Sequence, residues 1–161
     1  MITVADFSRM MEMENGIVHD QTKDLVQADT LIQPQPGGNC MNWVLGHALD
    51  TLVTILETLG GSSPVDKKSL ARYPHGSEPV LQEGPGVWSL EDLLEGFDQV
   101  GKTITSQLQM MQDEDFGKEI EWNGKSVTVG WKVFFFFFHF TYHLGQLELL
   151  RNLAGRTEKV I

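Results

Sequence analysis

Between Val133 and Leu147 the chain carries no formally charged residue, and it opens that stretch with five consecutive phenylalanines, Phe134 to Phe138. The stretch is too short to cross a bilayer as a helix and contains His139, His143 and Gln146. It therefore reads as part of a soluble protein, with one face of it turned to a core. Apolar residues continue at helical spacing to Leu153, and Thr128 before it and Gly155 after it supply start and stop signals, so a helix is expected over about 128–153. Any fold for this chain has to surround that helix with apolar partners.

Three further helical patterns supply them. Phe7, Met10, Met11, Ile17, Val18 and Leu25 recur at helical spacing, predicting a helix over about 4–28. The segment Gln33-Pro34-Gln35-Pro36-Gly37-Gly38 stops it. Asn39 can cap a second helix over about 40–59, closed by Gly60-Gly61. Ser89-Leu90-Glu91-Asp92 resembles a capping box and opens a helix to about residue 112, with Leu90, Leu93, Leu94, Phe97, Val100, Ile104, Leu108 and Met111 on one face.

The stretch 62–87 is punctuated by Pro and Gly, with a short helical turn expected near 67–73. Its length suits a crossover from one end of a bundle to the other. Asn123-Gly124, inside 119–129, predicts a two-residue hairpin turn, since both positions want positive φ. Four amphipathic helices, a long crossover between the second and third, and a small β-hairpin between the third and fourth make an all-α four-helix bundle. No repeat or linker divides the chain, so residues 1–161 are expected to form a single domain.

The formal net charge of -10 and the lack of a Lys/Arg cluster disfavour nucleic acid. Cys40 is the only cysteine, which excludes an intrachain disulfide and fits a reducing compartment. The acidic N-terminal stretch does not read as a signal peptide. A cytoplasmic protein with no membrane partner is expected.

His139 and His143 differ by about 40° around a helix axis and about 6 Å along it, so both can reach one ion. His47 lies mid-way along the apolar second helix, near Trp43 and Val44. Core histidines held by hydrogen bonds are one reading of these residues. The other is a tridentate nitrogen set that leaves positions open for water or substrate. Three neutral imidazoles suit zinc, nickel, iron or copper, and unperturbed histidine would make metal affinity fall between about pH 7 and 5. Gln146, one turn past His143, is placed to hydrogen-bond near the site, and Asp50, one turn past His47, is the one carboxylate to nominate as a general base. His19 is expected to be solvated, and His75 to reach at most the site mouth.

Trp43-Val44-Leu45-Gly46-His47 is a W-x-x-G-H element, and His139, His143, Gly145, Gln146 and Leu147 form H-x-x-x-H-x-G-Q-L. In these elements, their separation and the long loop after the second helix, nearly the whole chain resembles the DinB/YfiT-like family, the DinB superfamily. The resemblance implies up-down-down-up topology, a homodimer, and a divalent metal held by His47, His139 and His143. It also implies a metal-dependent thiol S-transferase or isomerase that joins a low-molecular-weight thiol such as bacillithiol or mycothiol to an electrophile. A non-enzymatic dimeric metal or small-ligand binding protein and a metal-dependent hydrolase are the alternatives. Members commonly carry Arg or Lys between the second histidine and the glycine, where this chain has Leu144.

With His139 facing the core, Phe134, Phe137 and Leu144 would point away from it. An exposed apolar stripe of that kind marks an interface, so they are expected near the two-fold of a dimer unless the long loop covers them.

Overall fold

The computed structural model describes residues 2–160. Helix α1 spans Val4–Thr22. It starts at Thr3, whose Oγ1 accepts from the Asp6 N–H at 3.0 Å while Asp6 Oδ2 accepts from the Thr3 N–H at 3.2 Å. This reciprocal cap satisfies two amides of the first turn.

The helix ends short of the predicted residue 28. Asp24 takes a left-handed φ of 61°, which aspartate tolerates better than most side chains. The buried Arg151 guanidinium donates to the carbonyls of Gln21 (3.2 Å) and Lys23 (2.6 Å), capping the helix end from the far end of the sequence. A one-turn helix α2, Gln27–Thr30, follows.

Helix α3, Met41–Thr58, is buried on nearly every side. The residue preceding it is Cys40, which makes no side-chain cap bond, so Asn39 is not the cap; the Cys40 thiol donates instead to Val80 O at 3.1 Å. At its other end Gly60 adopts φ +82° and the Gly61 N–H reaches Leu56 O at 3.0 Å, the expected glycine stop.

The long connection that follows holds a 3₁₀ turn at Lys67–Leu70. It is packed onto the core, with Leu70, Tyr73 and Val80 fully buried. The Tyr73 hydroxyl donates to Asn42 Oδ1 (3.1 Å) and accepts from the Trp88 N–H (2.7 Å), tying the connection to α3 and to the entry of the next helix.

That helix, α4 (Leu90–Gln109), is capped by Ser89 Oγ, which accepts from the Asp92 N–H at 3.0 Å. It buries Leu90, Leu93, Phe97, Val100, Ile104 and Leu108 as its periodicity predicts. Strands β1 (Glu119–Trp122) and β2 (Lys125–Thr128) pair antiparallel through a turn with φ 51° at Asn123 and 72° at Gly124. Thr128 Oγ1 accepts from the Trp131 N–H at 3.1 Å and opens α5, Val129–Leu153.

The protein is thus mostly helical, with one small two-stranded sheet. Helices α1 and α3 each pack against both α4 and α5, around one continuous cluster of buried apolar side chains. Among the described residues no helix is long and apolar enough to cross a membrane.

The phenylalanine run faces differently from the sequence expectation. Phe134, Phe137 and Leu144 turn toward α1, where the fully buried Phe7 ring lies 5.2 Å from Phe134 and 5.5 Å from Phe137, and Leu144 is 4% exposed. Phe134 and Phe137 are half-buried there, and Leu144 is buried, so the three do not form an exposed stripe. The outward residues are Trp131, Phe135, Phe138 and Tyr142. The reason is that α5 is apolar all round, so the histidine direction does not mark the centre of its buried face.

Between α1 and α5, Glu14 is buried and accepts a hydrogen bond from Thr141 Oγ1, while its Oε2 has no partner. Burial pushes its carboxyl from 4.5 up to about 7, against the opposing pull of Thr141. Because the folded value exceeds the unfolded one, the fold favours the neutral acid. That stabilisation is full below about pH 4.5 and is lost as the pH rises through about 7. Glu14→Gln should therefore raise stability at pH 8 by about 2 kcal/mol and change little at pH 4, as read from urea midpoints at the two pH values.

Candidate metal centre

The packing of α3 on α5 brings the histidines of the two helices together. His47 Nε2 lies 3.0 Å from His139 Nε2, which lies 3.1 Å from His143 Nε2. His47 and His143 are buried and His139 half-buried, and the three ligand nitrogens all fall within 4.8 Å of one another, so the cluster could hold a metal ion.

The other ring nitrogens fix how these imidazoles present themselves. His47 Nδ1 donates to the Tyr73 carbonyl at 2.8 Å, and a carbonyl can only accept. A neutral His47 therefore turns its Nε2 lone pair into the cluster. His143 Nδ1 makes the same bond to Gln146 Oε1 at 2.8 Å, with the same result. His139 Nε2, between them, can donate to one lone pair and not to both. A lone pair left facing another nitrogen at this range is unfavourable without a cation, so the donor set fits a metal rather than a self-contained hydrogen-bond network.

Burial keeps these rings neutral, which is the ligating form. It pushes His47 down to about 4, with the Tyr73 bond opposing and the neighbouring histidines adding to the fall. Burial also lowers His143 and His139. Proton competition at His47 thus begins at lower pH than the window of about 7 to 5 expected for unperturbed imidazole.

The W-x-x-G-H element has a mechanical reading. Trp43 stacks on His47 with centroids 4.9 Å apart, and its Nε1 donates to Ser77 Oγ at 2.9 Å. Gly46 is where Tyr73 lies flat against α3, since a Cβ there would stand 2.3 Å from the Tyr73 ring. That contact delivers the Tyr73 carbonyl to His47. Neither Tyr73 nor Ser77 stands out in the sequence; the glycine beside His47 was the one available hint of a close approach.

A cleft of about 540 Å³ opens onto the three histidines, with His75 and Tyr142 on its lining. His75, exposed, thus reaches the mouth as expected. His19 is not free in solvent but pairs with Asp98 Oδ1 at 2.8 Å between α1 and α4. Asp50 lies off the cleft lining, its carboxyl raised by burial and under the influence of Lys67 and Glu57.

The family model described as DinB superfamily matches residues 19–147, which includes all three clustered histidines. The chain belongs to the DinB superfamily. A comparison with curated proteins finds no match. Among solved structures, this DinB chain is similar to a DinB-like protein from Bacillus cereus ATCC 10987, with a TM-score of 0.77 at 17% identity, covering 99% of this chain and 98% of that one. It is also similar to a conserved protein from Enterococcus faecalis, with a TM-score of 0.68 at 16% identity, covering 91% of this chain and 94% of that one. At these identities the likeness is one of fold.

Proposed function

We propose that this DinB-superfamily chain is a divalent-metal-dependent S-transferase that joins a low-molecular-weight thiol to an electrophilic small molecule. The observation carrying this is the convergence of three Nε2 atoms, held by His47, His139 and His143, at the floor of an open cleft. When bound there, zinc, nickel or iron would act as a Lewis acid that lowers the pKa of a thiol and supplies it as thiolate. The protein's part is to hold the nitrogens in place. Tyr73 O fixes the tautomer of His47, Gln146 Oε1 fixes that of His143, and Trp43 limits rotation of the His47 ring.

The chain offers no cysteine of its own for the reaction, because Cys40 is fully buried and bonded to Val80 O. Among the described residues no carboxylate lines the cleft to act as a general base, which favours thiol transfer over hydrolysis. The same absence also suits a non-enzymatic metal or small-ligand binding protein. The test is conjugation by metal-loaded protein of a thiol panel with epoxide and maleimide electrophiles. Turnover that chelation abolishes supports the transferase, whereas stoichiometric metal with no turnover favours the binding protein.

We further infer a single cytoplasmic domain over residues 1–161 with up-down-down-up helices, working as a homodimer. Support for the dimer comes from Trp131, Phe135 and Phe138, which are 53%, 43% and 70% exposed at alternating spacings of four and three residues along α5. That spacing suits packing against a second helix, and an uncharged seam suits two copies that each carry a charge of -10. Phe135→Glu/Phe138→Glu should give a monomer by light scattering at a concentration where the parent is a dimer. A parent that is monomeric at high micromolar concentration overturns the pairing.

A further inference from the structure

The wall of the histidine cleft is unusual in what it leaves out. Leu149 and Leu153, one turn apart on α5, line it together with Leu150, Pro34, Trp43 and Val44. Among the described residues no Lys, Arg, Asp or Glu lines it. Leu149 and Leu153 are 67% and 51% exposed although they stand beside a concave site. The polar groups on the lining besides the clustered histidines, Gln146 among them, are uncharged or, for His75, lie in the 62–87 connection.

We propose, resting on the metal reading above, that the ligand taken here is an uncharged molecule whose hydrocarbon part lies along Leu149 and Leu153 while its donor atom reaches the three histidines. Two arguments converge on this. A thiol bearing carboxylates would lose their hydration against this wall and find no Lys or Arg side chain on it in exchange, the metal being taken by the sulfur. The net charge of -10 adds a long-range penalty for any anion that approaches. A hydrocarbon segment, by contrast, would cover two leucines that otherwise face water.

The experiment uses the full chain loaded with cobalt(II), whose visible absorption reports both uptake and thiol binding. Propanethiol, butanethiol, pentanethiol and hexanethiol are titrated against the dianion mercaptosuccinate. Affinity should rise about fourfold with each added methylene, and mercaptosuccinate should bind more weakly than butanethiol. In Leu149→Asp/Leu153→Asp, with cobalt uptake retained, the gain per methylene should drop below about twofold. Cobalt uptake is read first. Failure to bind cobalt overturns the metal reading and this proposal with it. Uptake followed by a flat chain-length series, or by tighter binding of mercaptosuccinate, overturns this proposal alone.

Discussion

His139→Ala/His143→Ala should yield a folded, helical protein that retains no divalent metal after dialysis, where the parent chain retains about one equivalent. The two side chains supply two of the three nitrogens that converge within 4.8 Å, and a single remaining imidazole does not chelate. His47→Ala should empty the site as well, because it removes the only nitrogen contributed by α3. Gln146→Ala is a graded control. It removes the acceptor for His143 Nδ1 while leaving all three imidazoles, so metal affinity should fall by roughly 10- to 100-fold. Metal analysis and circular dichroism on the same samples separate loss of the site from loss of the fold. Full metal occupancy in the double variant would refute the assignment.

Gly46→Ala should be among the most damaging small substitutions in the chain. An added Cβ would stand 2.3 Å from Tyr73 ring carbons, and Tyr73 is fully buried with its hydroxyl bonded at both Asn42 and Trp88. The ring has nowhere to retreat, and overpacking of this kind costs about 3 kcal/mol. The effect should extend to metal binding, since a displaced Tyr73 withdraws the carbonyl that orients His47. Thermal unfolding and metal titration of the variant should therefore both move. Gly145→Ala, on α5 and with open space around its Cβ, should move neither by much.

The elements that could be read from sequence are those whose cause is local. Asn123-Gly124 declares a turn because two successive positive φ angles are needed there. Ser89 and Thr128 declare helix starts because their hydroxyls serve amides three residues on. His139 and His143 share a helix face by spacing alone. What escaped depends on partners far along the chain. The end of α1 is held by Arg151, more than a hundred residues away in sequence. The outward face of α5 is decided by where α1 docks Phe7, and a helix that is apolar all round gives no hint of it. The orienting group on His47 is a main-chain oxygen, and every residue has one, so sequence carries no mark of it.

The Tyr73 carbonyl also makes the long connection a participant in ligation thermodynamics. His47 presents its Nε2 lone pair inward only while Tyr73 is seated, and Tyr73 is seated only while its hydroxyl bridges Asn42 and the Trp88 amide. A cation that prefers the oriented imidazole therefore prefers the seated connection by the same free energy. Each tenfold gain in affinity that depends on that orientation is about 1.4 kcal/mol withheld from local unfolding of the crossover. Substitutions in this connection that touch no ligand would then change the free-ion concentration at which the site fills, and the tightness of the site becomes a property of the chain path between α3 and α4 as much as of the three imidazoles.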